Sequence, residues 1–562
     1  MSFFIKETKK RNDVYYQIYE SIYDSSKGYS VHRSYRVLGY LSELKASGID
    51  NPREHFKEEV NRLNKEEKEK RRGNRFATIK DYSLQKHVGY FPAKAVLEKI
   101  GVKKYIEYFD NQTGFQFSLY EMLSALIFSR IVNPCSKRAS YENVIPNLYT
   151  KYEFSYDQIL EACEYLGRQY DKFVDMFTLC AKKAYGINTK RAYFDCTNFY
   201  FEIDREDEFR RKGPSKEGRH DPIVGLGLLL DADMIPLNMT LYPGNESEKP
   251  YIRKSINRMK SITGAIGKII QVADKGLNCA LNIDEAIANG DGYIFSKSVK
   301  QLDAAEKAWV FNNKEDLRSS SGGKYFYKDC IDTFSYDYKD EYGNKVIFSI
   351  KEKRIVTFSP SLKAKQKAEL DKLVAKAKDK TLSKARRDEF GECGKFVKFV
   401  SKNRDKDAAV IAILDQEAID EAYMYCGYNM LITSEFNLDS SEVYSVYHSL
   451  WRIEETFRAM KSSLDARPVY LQKEYSIKGH FLICYLTVLI VRLLQFKELG
   501  DEFSTDDIIY FMRYFSVVAD PSGADFINIG RYNKLYDRFS EKYGILLHLF
   551  KLKQRDFKTL GL

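Results

Sequence analysis

Nine cysteines are scattered over the 562 residues, and no two of them form a C-x-x-C pair. That lack removes a zinc ribbon and a disulfide framework from consideration and points to a reducing compartment. The opening stretch, MSFFIKETKKRND, has no apolar core of the kind a secretory signal needs, so no signal peptide is expected. Long apolar runs are also missing. The longest, Phe481 to Val491, is eleven residues, too short to cross a bilayer, and reads as a buried helix. The expectation is a cytoplasmic protein without a membrane partner.

What is present is charge of both signs. Lys and Arg number 90 against 79 Asp and Glu, a net charge of +11 and an isoelectric point near 8.8. The excess suits a polyanion, although the acids mixed among the bases blunt it. Apolar residues make up 44% and charged residues 30%, the balance of a globular chain with room for several domains. The 42 Tyr and 36 Phe are compatible with a nucleic-acid surface.

Along the chain, residues 1–45 alternate in short strand-like runs punctuated by Gly28 and Gly39, a small antiparallel sheet. Residues 52–75 are charge-dense and read as a solvated helix or linker, so 1–75 forms a small β region plus a charged linker. Residues 76–188 turn amphipathic and read as a helical region, which in a DNA-acting protein would be its DNA-binding part. Within it Arg130–Arg138, RIVNPCSKR, sets bases at a helix end and loop, where phosphates are commonly held. From Lys190 the pattern is three antiparallel-type strands, then strand, helix and strand, an α/β rhythm filling 189–300. The block 301–424 breaks it with hairpins, a turn near EYGNK and a charged helical pair, so it reads as an inserted mixed α/β domain. The rhythm resumes over 425–500, and 501–562 is a mixed C-terminal region.

Three acids stand out from this frame. Asp195 sits inside a strand, where an acid is disfavoured and costly if buried without a partner. Asp274 ends a later strand. Glu454 lies in YHSLWRIEETFRAMK, read as one continuous helix. There Leu450, Ile453, Phe457, Met460 and Leu464 form an apolar stripe at steps of three and four. Tyr447, Trp451, Glu454, Arg458 and Lys461 follow the same steps one residue round, which predicts a rigid, half-desolvated Glu454. The plainer reading of Glu454 and Arg458 is an i,i+4 ion pair on a solvated face. Two strand carboxylates and one from a helix can converge at a sheet edge and bind two Mg²⁺, which prefers oxygen ligands. Such a pair supports in-line phosphoryl displacement.

The ordered set FDCTNFYFE, GNESE, VADKGLN and Tyr447-x6-Glu454-x6-Lys461 resembles the DDE transposases of bacterial insertion sequences. More narrowly it resembles the subgroup with a Tyr-Arg-Glu-Lys signature on the helix of the third acid, and RPVYL followed by IKGHFLICYL is similar to one branch of it. The resemblance covers roughly 190–300 and 425–495. It implies an RNase H-like catalytic domain (189–300 and 425–500) carrying the insertion, with Asp195, Asp274 and Glu454 as catalytic, metal-binding acids. It implies two Mg²⁺ ions, which Mn²⁺ can replace. The partners implied are double-stranded DNA, as terminal inverted repeats and target, and a second copy of the chain in a homodimer. Tyr447 and Lys461 would hold phosphates. The signature arginine is Leu450 here, in phase with the apolar stripe, which leaves Arg458 or Arg452 to supply the cation.

Other groups compete. Asp231 and Asp233 read as a turn, and Asp204, Glu206, Asp207 and Glu208 as a solvated loop. His220 and His480 read as structural, His448 as surface, and Cys196 as core, since it points away from Asp195 across the strand. The competing functions are an RNase H-like nuclease that cuts without joining, and a catalytically idle DNA-binding protein derived from such an enzyme. The presence of all three acids argues against the second.

Overall fold

The computed structural model describes the whole chain except residues 1, 11, 25–28, 76–83, 266, 313, 384–385, 402–409 and 521–524. Gly28 therefore lies outside the described residues. The chain divides into two compact units. The first holds residues 1–86, 516–530 and 540–559. Its N-terminal part is the expected antiparallel meander, Ser2–Lys10, Asp13–Asp24 and Tyr29–Tyr40, followed by the charged helix Lys57–Arg75. The C-terminal region contributes antiparallel strands, Ser516–Ala519, Asp525–Asn528 and Lys551–Lys553.

The second unit carries the large sheet. Its strands are β1 (Arg191–Tyr200), β2 (Ile223–Leu230), β3 (Pro236–Pro243), β4 (Ile270–Ala273), β5 (Gly292–Lys297), β6 (Arg318–Ser319), β7 (Phe326–Lys339), β8 (Lys345–Phe358) and β9 (Tyr428–Thr433). They form one nine-stranded mixed sheet in the order β6-β7-β8-β9-β5-β4-β1-β2-β3. The pairs β1–β4 and β4–β5 are parallel, and the others antiparallel. The fold is thus mixed α/β, with the three antiparallel strands and the strand–helix–strand unit where the pattern predicts them. Parallel neighbours need a crossover, and the helices Lys249–Thr263 and Ala280–Ala288 supply it. They cover one face over Phe194, Cys196, Leu229, Val272-flanking Ala273 and Phe295.

The block 301–424 behaves in two ways. Its hairpin β7–β8 turns at Asp340–Asn344, as read from EYGNK, but Lys353–Phe358 pairs directly with β9. The hairpin therefore extends the main sheet. The remainder, a helix at Pro360–Leu382, a short strand pair and the helix Gln416–Met424, closes over its own core of Ala377, Phe390, Cys393, Phe396 and Ile419. One 23-residue helix replaces the expected helical pair.

The helical region contains α1 (Leu119–Val132) and α2 (Tyr156–Arg168); later come α3 (Ser440–His448), α4 (Trp451–Arg458) and α5 (Glu474–Leu493). With the turn that follows it, α5 is long and apolar enough to span a membrane, yet 94% of that window is buried inside the protein. It is the central core helix, and Phe481 to Val491 are all buried in it. It meets α2 at two glycines. A Cβ on Gly167 would stand 1.7 Å from the Tyr475 carbonyl oxygen, and one on Gly479 would stand 1.9 Å from that of Cys163. No side chain fits at either position.

Candidate active site

Asp195 lies in the middle of β1 and Asp274 directly follows β4. The parallel register pairs Tyr193 with Val272, so two residues further on Asp195 and Asp274 stand level. They are close enough for the Asp274 charge to help raise Asp195. Their surroundings push the two carboxyls in opposite directions. Burial drives Asp195 up to about 6, against the pull of Lys216 and of the Cys196 N–H. Burial also opposes ionisation of Asp274, but there it is outweighed. The Ser296 hydroxyl donates at 2.7 Å and the Tyr447 hydroxyl at 2.8 Å, both to Oδ1, and the Lys275 N–H adds a third bond. Asp274 therefore sits below the usual carboxylate range. Burial and the Asp274 charge raise the Tyr447 phenol, which stays a neutral donor at neutral pH.

Lys216 comes from the loop between β1 and β2. Its ammonium is 3.9 Å from Asp195 Oδ1 and 3.4 Å from Glu248 Oε2, and it donates to the Cys196 carbonyl. Burial would lower its pKa, but Asp195 and Glu248 outweigh that and raise it. Glu217, next in the loop, points the other way. Its carboxylate accepts from Lys461 Nζ at 3.1 Å and from the Arg467 guanidinium. Burial opposes ionisation of Glu217, and these two cations hold its pKa down regardless. Lys461 is lowered by its own burial, a shift that Glu217 only partly offsets, and lies 5.2 Å over the Phe199 ring.

The segment carrying Glu454 is not one helix. The chain closes α3 at His448, and then bonds from Leu450 N–H to Tyr447, Arg452 N–H to Ser449 and Ile453 N–H to Leu450 tighten it to i→i−3 spacing. After α4, Ala459–Ser463 widens into a π turn. The apolar stripe survives, with Leu450, Ile453, Phe457, Met460 and Leu464 all buried. Glu454, however, is exposed, which corrects the reading of it as half desolvated. It also makes no ion pair with the exposed Arg458, so the plain i,i+4 pairing is absent as well. Among the described residues, no three His, Cys, Asp or Glu side chains group closely enough to hold a metal ion. The structure thus brings Asp195, Asp274 and Tyr447 together and leaves Glu454 outside. Arg452 bonds to Asp501 at 2.6 Å and Glu455 at 3.4 Å and stacks over Trp451, which commits its guanidinium to packing.

The competing groups fall where the sequence puts them except His220, which was read as structural and is exposed instead. The Asp231 carboxylate accepts the N–H groups of Asn188, Asp233 and Ile235, so it ties the β2–β3 turn. Asp204, Glu206 and Glu208 are exposed, and Asp207 pairs with Arg210. His220 and His448 are exposed, His480 is buried with Nε2 on the Ala466 carbonyl, and Cys196 is core. Sequence reasoning missed Lys216, Glu217 and Ser296. Lys216 and Glu217 sit in a Gly/Pro-flanked loop that carried no spacing signal; Glu248 was inside the quoted GNESE without a role.

No family model and no curated protein matches the chain. Among solved structures, it is similar to a piggyBac transposase in a synaptic complex with hairpin DNA, over 76% of each chain at 8% identity and a TM-score of 0.36. At that level neither activity nor fold follows from the likeness.

Proposed function

We propose that this chain is a DDE-type DNA transposase of a bacterial insertion sequence, cleaving element ends and transferring the strands into target DNA. The reading is supported above all by one juxtaposition. Two acids 79 positions apart stand level on adjacent parallel strands, and a tyrosine from a third, distant segment donates to one of them. The five strands β3-β2-β1-β4-β5 support an RNase H-like core.

The donors at this site are hard oxygens, the set Mg²⁺ prefers. Asp195 is a half-buried carboxylate whose pKa desolvation drives upward despite Lys216, so a divalent ion beside the strand pair would find it short of counter-charge. Asp195 and Asp274 would hold it. Glu454, exposed on α4, is proposed as the third ligand. Bound there, the ions would supply charge neutralisation at the attacked phosphate and acidify the attacking hydroxyl. The protein's own residues do the rest. Ser296 and Tyr447 orient Asp274 and keep it ionised. Lys461 and Arg467 are cations spaced to bind a phosphate once Glu217 yields them, with Arg458 exposed nearby in sequence. The partners proposed are double-stranded DNA and a second copy of the chain, in the cytoplasm.

The test is Mg²⁺-dependent cleavage of DNA taken from either side of the gene, followed by joining to a target plasmid. Cleavage with joining is expected. Cleavage alone would favour a hydrolytic nuclease, and binding without either would favour an idle DNA-binding protein.

A further inference from the structure

Away from the carboxylates, a cavity of about 630 Å³ opens between the end of α1, the RIVNPCSKR segment and the stretch leading into α5. Two cations line it deep inside. Arg130 is 3% exposed and donates only to the backbone carbonyls of Leu464 and Asp465, at 3.4 and 3.2 Å. Lys137 is 6% exposed, and its ammonium makes no hydrogen bond or ion pair. His480 adds no negative charge, since its Nε2 is engaged with Ala466 and burial holds it neutral. Arg138, at the rim, is paired with Glu142, and the one carboxylate in the lining, Asp465, is on an exposed residue.

A buried ammonium without a counter-charge is costly, and such groups are ordinarily paired. Here the missing charge has a place to sit, because both cations line one open cavity. An arginine fork beside a lysine point charge is the donor set for a phosphate. The space exceeds what a bare phosphate fills and lies in the range of small-molecule sites. Its mouth carries Tyr156 and Tyr470, the latter 73% exposed, aromatic rings on which a base can stack. We propose that this cavity is a nucleotide-phosphate site, with Arg130 and Lys137 on the phosphate and Tyr470 against the base. It does not rest on the carboxylate site.

The source of the phosphate, a strand or a free nucleotide, is separated by protection of Lys137 from amine acylation, read by mass spectrometry on the full-length protein. The probes are a short single-stranded oligonucleotide, thymidine 5′-monophosphate and thymidine. Protection by the oligonucleotide alone assigns the site to a strand phosphate, and protection by both phosphorylated probes assigns it to any nucleotide phosphate. Protection by neither, or equal protection by thymidine, overturns the proposal. In parallel, Lys137→Met should weaken oligonucleotide binding about tenfold, as loss of one charge-assisted bond does. It should also flatten the dependence of log K on log salt by about 0.7. Unchanged affinity in a folded Lys137→Met protein would likewise refute it. If that variant does not fold, the protection pattern of the unaltered protein decides alone.

Discussion

Replacing Asp195 by Asn should stabilise the protein above pH 6 when no divalent ion is present. Burial lifts this carboxyl from 3.8 to about 6 in the folded state. Between those values the unfolded chain has released the proton while the folded one keeps it. Stability therefore falls as pH rises from about 4 to about 6, and the penalty is complete above that. A shift of about two units corresponds to about 3 kcal/mol. The rise to about 6 already includes the opposing pull of Lys216, 3.9 Å away, so Asn recovers the whole of it. The gain expected is about 3 kcal/mol at pH 8, vanishing below pH 4. Thermal melts of both proteins in chelator across pH 3.5–8 measure it. Adding Mg²⁺ should then raise the melting temperature of the unaltered protein and not of Asp195→Asn, because only the first gains a ligand that binds the folded state. A variant no more stable at pH 8, or equally more stable at pH 4, would refute the assignment of Asp195 as a half-buried acid whose ionisation is opposed by desolvation.

Asp195→Asn, Asp274→Asn and Glu454→Gln should each abolish cleavage and leave DNA binding largely intact, and robust nicking by any one contradicts its role. Glu217→Gln removes the carboxylate held by Lys461 and Arg467; DNA affinity in a filter or anisotropy assay should rise severalfold, and an unchanged affinity would show that these cations do not meet DNA. Gly479→Ala places a methyl 1.9 Å from a backbone oxygen of the adjoining helix, so α2 and α5 must separate; a loss of about 3 kcal/mol or more is expected, and a melting temperature within a degree of the parent would disprove the close crossing.

The parts of this fold that were legible in the sequence are those governed by local periodicity. Strand alternation around Asp195 and the strand–helix–strand pattern after Ile270 translate directly into β1, β4 and β5, because one period sets which face each side chain takes. The strand acids could be named for the same reason: an Asp inside a buried strand is conspicuous. The helix acid was harder. Projecting Tyr447 to Lys461 on a uniform helix assumes 3.6 residues per turn throughout. The i→i−3 bonds at Ser449–Ile453 tighten the turn toward about 3.0, and the π turn at Ala459 loosens it. The stripe tolerates this, because apolar packing needs only an approximate face. The direction of a single polar side chain does not tolerate it, and Glu454 points into solvent. Lys216 was invisible for a different reason. Loop lysines are common, and what singles this one out is a long-range meeting with Glu248 that no spacing encodes.

That lysine and its neighbour determine what the site demands of any ligand. Lys216 places a positive charge among the acids, and Glu217 places a negative one between the bases. Consecutive residues of one loop thus neutralise both halves of the site. An anion approaching Lys461 and Arg467 must displace Glu217, and a cation approaching Asp195 must compete with Lys216 for the same oxygen. Because the two residues share one stretch of backbone, moving Glu217 off its cations shifts the anchor of Lys216 too. On the proposed function, a phosphate that draws Lys461 and Arg467 off Glu217 would carry Lys216 away from Asp195 with the same loop, so that each binding event would lower the cost of the other. The Glu217→Gln protein should accordingly bind Mg²⁺ more tightly even without DNA, which titration calorimetry on the isolated protein would register; equal Mg²⁺ affinity in the two proteins would show that the loop's two charges act independently.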